Sequence, residues 1–419
     1  MLDIKFIREN KELIAEAARK KRLKFKVEDL LAVDEKRVKL LIEVETKRAH
    51  QNKISTEIAQ DTSKREENIL AMKSLKEELQ NQETELKEII KNWQALMVQV
   101  PNVPDISVPD GDDDSNNVEL KTNGERPQFP FIPKSHIELM QNLHLVDLER
   151  GTKVAGFRGY FLKNEGLRLS FALWQYAFDL LQKESFTPMM VPSLVRPDSF
   201  YGTAYLPQGE EDLYKTQDGD YLAGTAEVAM MGYHMDEIVP IDHLPLKFVS
   251  WSPCFRREAG SHGKDTRGLI RLHEFYKVEQ VVLCEANHEE SVRWHEALLA
   301  NAEKLMQGLK LPYRVVVNCS GDLGLGQVKK YDIEAWVPSE NKYRETHSIS
   351  YFHDFQARRL NLKYKDLEGK THLVHSLNGT AVASPRILVS LLENYQQADG
   401  SVIIPEVLRP YLGGQEIIR

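Results

Sequence analysis

The chain has 419 residues, 42% of them hydrophobic and 28% charged, with a formal net charge of −8. That length can bury one large core and a smaller one, and the composition is ordinary for a soluble globular protein. The acidic balance excludes a general polycation, so nucleic acid could be held only by a local basic face.

Cys254, Cys284 and Cys319 lie far apart with no CxxC spacing. This argues against a disulfide framework and against a structural zinc site, and it fits a reducing compartment. No apolar stretch reaches the length of a membrane span. The opening MLDIKFIRENKELIAEAARKK has acidic residues and no apolar run before a cleavage site. It reads as folded protein rather than a signal peptide, and a cytoplasmic location is expected.

From about Leu30 to Met97 the chain has hardly a glycine or proline, and apolar residues recur at helical spacing: Val38, Leu41, Ile42, Ala49, Ile54, Ile58, then Ile69, Met72, Leu75, Leu79, Leu86, Ile89, Ile90, Trp93, Leu96. Between the runs, DTSKREEN is polar; Asp61 or Thr62 ends one helix, and Ser63 with Glu66 resembles a capping box opening the next. An antiparallel helical hairpin is expected, forming a long arm. Its first helix carries Lys36, Arg37, Lys39, Lys47, Arg48 and Lys53, with Lys64 and Arg65 at the tip; its second is mainly acidic, with Glu77, Glu78, Glu83, Glu85 and Glu88. Interhelical ion pairs on a solvated surface account for this pattern, and so does a face for a nucleic-acid backbone.

VPNVPDISVPDGDDDSNN, beginning at Val100, is rich in proline and aspartate and reads as a linker or surface loop. The expected organisation is an N-terminal domain over 1–100, a linker over 101–125 and a core over 126–419. In that core, short strand-like runs (FLKNEG, MMVPSLV, YLAGT, LKFVSWSPCFRRE, LIRLHEFYKVEQVVLC, YRVVVNC, YDIEAWVP, HLVHSLN) alternate with helical stretches such as RLSFALWQYAFDLLQKES and HEESVRWHEALLANAEKLMQGL. The pattern predicts an α+β fold with a mostly antiparallel sheet flanked by helices.

One hairpin, FRREAGSHGKDTRGLIRLHEFYKVE over 255–279, gathers Arg256, Arg257, Arg267 and Arg271 around Glu258, Glu274 and Glu279. Residue parity sets Cys254, Arg256 and Glu258 on one face of the incoming strand, and Arg271, His273, Phe275, Lys277 and Glu279 on one face of the outgoing strand. Arginine forks suit phosphate, an aromatic ring can stack a nucleobase, and a buried carboxylate can accept from an amino group or hydroxyl. The set reads as a nucleotide site beside a small polar substrate, against the alternative of a solvated ion-pair ribbon. GSHGKDTRG is not a P-loop, since no Ser or Thr follows its Gly-Lys.

This hairpin resembles motif 2 of class II aminoacyl-tRNA synthetases, in the form found in the seryl-tRNA synthetase family. GTAE at 224–227 is similar to that family's serine-binding TAE, DFQARRLNLKY at 354–364 to a family strand and turn, and HSLNGTAVASPRILVSLLENYQQADGSVIIPEVLRPYLGG to its motif 3 and C-terminus. The helix from Leu167, followed by MMVPSLV, resembles motif 1. The resemblance runs along nearly the whole chain.

The resemblance implies a fold, a reaction and roles. The fold is the class II antiparallel sheet with an N-terminal coiled-coil arm that grips tRNA(Ser), in a homodimer. The reaction is activation of L-serine with ATP to seryl-adenylate and pyrophosphate, then transfer of serine to tRNA(Ser). Arg256 and Arg386 are the implied catalytic cations, on the α- and γ-phosphates; a helix start, as at Arg386, favours an anion. Glu258 is to accept from the adenine amino group, Phe275 to stack the adenine, and Arg257, Arg271 and the run Glu345, Thr346, His347, Ser348 to complete the ATP site. Glu345 and Ser348 offer hard oxygens to Mg2+. Thr225, Ala226, Glu227, Glu279, Asn378 and Thr380, with Arg256, are to enclose serine.

No general base is required, because a carboxylate is already a nucleophile; positioning and neutralisation of phosphate charge suffice. His262 and His273 are therefore expected to be structural or loop residues, and Trp174 and Phe178 core or interface residues. Two departures from the family pattern stand out: Ile349-Ser350-Tyr351 where the family commonly has a run like CSN, and Ser55-Thr56 where a Ser-Lys pair is frequent. A cysteine ligand for the family's zinc-dependent form is not evident. A non-catalytic RNA-binding relative would be expected to lack the arginines or Glu279, and a ligase loading a carrier protein to lack the arm; this chain has them all.

Overall fold

The computed structural model describes residues 1–60, 65–260, 263 and 265–419, with the backbone alone for 57–60 and 65–71. The expected helix end at Asp61 or Thr62, the Ser63 cap, the tip cation Lys64 and His262 lie outside what it describes, as do the side chains of Arg65 and Glu66. The chain folds as two compact units, Leu2–Pro101 and Asn102–Arg419, the second including Met1.

The first unit is helical: α1 (Ile4–Glu9), α2 (Lys11–Lys20), α3 (Val27–Gln60) and α4 (Arg65–Met97). The α1 start is capped by Asp3, whose side chain accepts from the Lys5 N–H at 2.8 Å. α3 and α4 run antiparallel, as the 3.6-residue period requires of two apolar stripes joined by a short connection. Leu40 and Val44 of α3 pack with Leu79 and Leu86 of α4. Charge crosses the same seam: Lys47 Nζ lies 2.7 Å from Glu78, Arg48 lies 2.7 Å from Glu83, and the Arg37 guanidinium sits 4.6 Å from the centre of the Trp93 ring. Those three cations are engaged within the arm, while Lys36 and Lys39 are exposed.

The second unit is built on one eight-stranded sheet, formed by β1 (Val118–Asn123), β2 (Thr187–Met190), β3 (Leu246–Phe255), β4 (Glu274–Cys284), β5 (Tyr313–Val317), β6 (Lys329–Val337), β7 (Lys342–Tyr351) and β8 (His375–Ser384). The strand order is β1-β5-β6-β7-β8-β4-β3-β2, antiparallel throughout except for the parallel β2–β3 pair. The expected α+β fold with a mostly antiparallel sheet is therefore observed. One face is covered by α6 (Asn164–Lys183), α8 (His288–Gly308) and α10 (Arg386–Tyr395), whose Leu173, Leu298 and Leu391 share a core with Val278, Val282 and Ile333 of the sheet. Trp174 of α6 joins that core. α5 (His136–Asn142) precedes these helices, opened by a capping box between Ser135 and Glu138. On the opposite face, α7 (Glu227–Gly232) and α9 (Phe355–Leu360) pack Met230 and Leu360 against Val281 and Leu283. Alternate residues of β4 thus serve the two faces.

The sheet carries three bulges, one on the edge strand β1 between Glu119 and Lys121 and two beside the strands of the site. Ile333 pairs with His347 but Glu334 with Glu345, leaving Thr346 extra on β7; Val278 pairs with Val382 but Glu279 with Thr380, leaving Ala381 extra on β8. Each bulge inverts the parity of the residues beyond it.

Three expectations change. The stretch 101–125, expected as a linker or surface loop, is mostly exposed yet tied to the core: Asn102 is buried, its amide donates to Gly326 O at 3.0 Å and Phe352 O at 2.8 Å, and β1 pairs with β5. Proline and aspartate mark chain without regular structure, which can still be densely bonded. The hairpin strands stop at Phe255 and restart at Glu274, and the described residues between them, 256–260, 263 and 265–273, form an irregular connection. FLKNEG supplies only the two-residue strand Phe161–Leu162, because α6 already begins at Asn164.

Replacing Asn102 by Ala should remove the amide donor from two buried carbonyls, with Phe352 O keeping only its 3.3 Å bond from the Phe355 N–H, and reduce stability by about 2 kcal/mol. The measurement is a thermal melt followed by circular dichroism, with a lower melting temperature expected.

Candidate active site

A cavity of about 380 Å³ opens on the sheet face opposite the main core. Its floor includes Phe275, Lys277 and Glu279 of β4, three consecutive positions of one pleat face. From the irregular connection come Arg256, Glu258 and Arg271; from the chain entering α7 come Thr225 and Glu227. β7 supplies Glu345, Thr346, Ser348 and Ser350, β8 supplies Asn378, Thr380 and Ala383, and Arg386 opens α10 at the rim.

The bulges decide who faces this cavity. Glu345 and Ser348 are three apart, which on a regular strand would send them to opposite faces; the extra Thr346 brings both inward. Ala381 does the same for Thr380 and Ala383.

Arg256 is held at both ends. Its N–H donates to His273 O at 2.9 Å, its Nε and Nη2 to Gly224 O at 3.3 Å, and its guanidinium lies 5.2 Å from the centre of the Phe275 ring. Glu258 has φ +56°, a left-handed conformation that a residue with a Cβ adopts under constraint, and its carboxylate accepts from Arg271 Nη1 at 2.6 Å. Arg386 donates from Nε to Ile270 O and from Nη1 to Glu345 O, both at 3.1 Å, with Nη1 3.6 Å from the Glu345 carboxylate.

At the other end two carboxylates are buried. Glu227, 2% exposed, accepts from Gln356 Nε2 at 2.7 Å and from the Tyr205 hydroxyl at 3.2 Å. Burial, chiefly, pushes its carboxyl up to about 7. Glu279, also 2% exposed, lies 2.5 Å from Lys277 Nζ and accepts from the Thr380 hydroxyl at 3.3 Å. Lys277 Nζ in turn donates to Thr225 Oγ1 at 2.9 Å. Lys330 Nζ, also lining the cavity, stands 3.5 Å from Asp322 and 3.6 Å from Asp332.

Three residues expected at the site do not line the cavity. Ala226 is buried in the core with Met230. Arg257 is exposed, with its N–H donating to Asp212 O at 2.9 Å. The His347 ring is buried beside the bulge, bonded to Thr346 Oγ1 and Ala381 O at 2.8 Å, and burial lowers its pKa to about 4. Parity explains this, since His347 and Ser348 occupy opposite faces. His273, despite its parity, lines a separate cavity of about 240 Å³ with Phe157 and Tyr214, because the strand does not extend to it.

Sequence reasoning assigned no role to Lys277, Tyr205, Gln356 or Lys330. Lys277 alone carried a signal, its shared face with Phe275 and Glu279; the others arrive from distant segments. Among the described residues no group of three or more His, Cys, Asp or Glu could hold a metal ion. Glu345 and Ser348 can still offer a carboxylate and a hydroxyl to a hard cation that takes its remaining oxygens from phosphate. The cavity as a whole sets cations at one end and along the middle, and buried acceptors at the other. That arrangement can align a polyanion with a small ammonium-bearing substrate.

Two family models match: the class II core domain of tRNA synthetases (G, H, P, S and T) over residues 214–395, and the seryl-tRNA synthetase N-terminal domain over residues 1–104. The chain is 46% identical to the serine--tRNA ligase of Deinococcus radiodurans, covering 100% of this chain and 99% of that one. It is 45% identical to that of Thermodesulfovibrio yellowstonii, covering 99% of each. Among solved structures, seryl-tRNA synthetase from Pyrococcus horikoshii complexed with ATP superposes with a TM-score of 0.92 at 39% identity, covering 100% of this chain and 99% of that one. The cytoplasmic serine-tRNA ligase of Naegleria fowleri in complex with AMP gives 0.87 at 33% identity, with the same coverage. On full-length identity and fold, the chain belongs to the seryl-tRNA synthetase family, the class II ligases that activate L-serine with ATP and transfer it to tRNA(Ser).

Proposed function

We propose that this cavity binds ATP and serine end to end and joins them. The supporting observation is the placement of Arg256, with its guanidinium against the Phe275 ring and its donors on Gly224, next to Thr225. Phe275 and Glu279 lie four residues apart on one strand, about 13 Å, which suits an adenine at one end and an amino acid at the other. Phe275 stacks the adenine, Glu258 accepts from its amino group, Arg256 and Arg271 hold phosphate oxygens, and Arg386 holds the γ-phosphate. Thr225, Glu227, Glu279, Asn378 and Thr380 enclose serine's ammonium and hydroxyl. Ala226 and His347 support the walls from behind, and Arg257 contributes only through its position in the connection.

A serine carboxylate oxygen attacks the α-phosphorus, the bond from that phosphorus to the α,β-bridging oxygen breaks, and pyrophosphate leaves with the electron pair. No proton moves, in keeping with the neutral, buried His347. Mg2+, held by Glu345 and Ser348, would supply charge neutralisation to the phosphates. Alanine, which carries the ammonium but lacks the hydroxyl, would leave Thr380 short of a partner and be rejected, whereas threonine must be excluded by size. The helical arm binds tRNA(Ser) through exposed cations such as Lys36 and Lys39. The chain acts as a homodimer, which fits the exposed Leu167 and Phe171 of α6 and Met190 of β2. No helix among the described residues is long and apolar enough to cross a membrane. The cytoplasm is the proposed location, in keeping with three free cysteines.

Serine-dependent ATP–pyrophosphate exchange without tRNA is the direct test. Exchange is expected with serine, not with alanine or threonine, and Arg256→Ala should abolish it. No exchange from folded protein with magnesium present would overturn the reading.

Glu227 yields a pH prediction. Its raised pKa leaves much of it protonated below about 7, and only the carboxylate attracts an ammonium. Serine affinity should therefore rise as pH increases from about 6 to 8, and the rise should vanish in Glu227→Gln, measured as 1/KM for serine in the exchange assay.

For the arm, Lys36→Glu with Lys39→Glu should leave exchange intact but weaken tRNA charging. The slope of log kcat/KM for tRNA against log salt should flatten by about 2, one for each phosphate no longer neutralised.

A further inference from the structure

Of the two cavity lysines with no role so far, Lys330 is paired with Asp322 and Asp332, and Lys277 is the one set among the residues assigned to serine. Its side chain is 8% exposed, and its ammonium bonds to two groups: Glu279 at 2.5 Å and Thr225 Oγ1 at 2.9 Å. Both belong to the subsite assigned above to serine, on which this inference rests. An ammonium between a buried carboxylate and a hydroxyl is also what serine's own amino group requires there. Two cations cannot share Glu279 at that distance without strong repulsion in a poorly solvated pocket. The empty pocket is thus charge-balanced by a cation that the substrate must displace.

Where the displaced ammonium can go follows from the strand. Lys277 lies midway between Phe275 and Glu279, about 7 Å from each along the pleat. With adenine at Phe275 and serine at Glu279, the reacting carboxylate and the α-phosphate lie over Lys277. A four-carbon stem lets its head move several ångströms while the strand stays fixed.

We propose that Lys277 is a substrate-displaced cation: its ammonium holds the place of serine's ammonium in the empty site, and on serine binding it moves to the α-phosphate, where charge develops. Serine binding would then deliver a cation to the transition state, so the site becomes fully charged for reaction only when the amino acid is present. An amino acid that fails to displace the lysine leaves the α-phosphate short of one positive charge, which adds to selectivity beyond pocket shape.

The test uses Lys277→Met and Lys277→Gln in the full-length protein, comparing kcat for serine-dependent exchange, the serine Kd by calorimetry and the melting temperature. The glutamine variant keeps a donor for Thr225 and Glu279, and so remains informative if the methionine variant does not fold. For each folded variant, kcat should fall about 100-fold, the scale of removing one preorganised donor from a transition state. Serine should bind no more weakly than to the unaltered protein, because its competitor is gone. An unchanged kcat would overturn the proposal, as would serine binding weakened in step with kcat, the mark of a structural role. If the unaltered protein itself shows no serine-dependent exchange, the underlying site assignment fails instead.

Discussion

The two-residue period of β4 is the constraint on which both core and site depend. Val278 and Val282 point into the packed layer under α6, α8 and α10, while Phe275, Lys277 and Glu279 line the cavity. A slip of one residue would bury the charges and expose the valines. The ten paired positions with β3 and nine with β8 hold that register from both sides. The positions of the site side chains along the strand are therefore fixed by the same pairing that fixes the core, even where a flexible head such as that of Lys277 can change partner.

Charge balance is the second constraint. Burying Glu227 and Glu279 is unfavourable unless donors surround them. Glu227 meets this with Tyr205, Gln356 and a raised pKa; Glu279 does so with Lys277 and Thr380. These are acceptors held ready at the cost of folding energy. At the opposite end, Glu258 and Arg271 neutralise one another, and Arg386 stands close to Glu345. The cavity's charged groups are paired with each other, so a ligand of the proposed kind would exchange partners with them rather than meet bare charge.

The arm is governed by other forces. Its seam is narrow, with Leu40, Val44, Leu79 and Leu86 buried along it, and pairs such as Lys47–Glu78 and Arg48–Glu83 fix which residues meet. Exposed pairs of this type add little stability each. Of the two readings of the arm's charge, ion pairing across the seam describes Lys47 and Arg48, while Arg37 pairs with Asp34 on its own helix and lies over the Trp93 ring. Exposed Lys36 and Lys39 carry the proposed interaction with nucleic acid.

The sequence by itself determined the helical arm, the α+β class and the motif that ties the 255–279 hairpin to a family, because period and residue chemistry are local properties. Parity alone set Phe275, Lys277 and Glu279 on one face. The tertiary structure decided what locality cannot express. Bulges at Thr346 and Ala381 brought Glu345 with Ser348, and Thr380 with Ala383, to one surface, and turned His347 away from it. A bulge depends on the neighbouring strand, which the local pattern does not contain. Distance in the chain likewise concealed Tyr205 and Gln356, which meet at Glu227 only after folding. The proline- and aspartate-rich stretch after Val100 reads as a linker or surface loop, and the sequence does not show its bonds to Gly326 and Phe352 because these lie more than two hundred residues away. Residue chemistry specifies what a site can do; packing between remote segments specifies which residues form it.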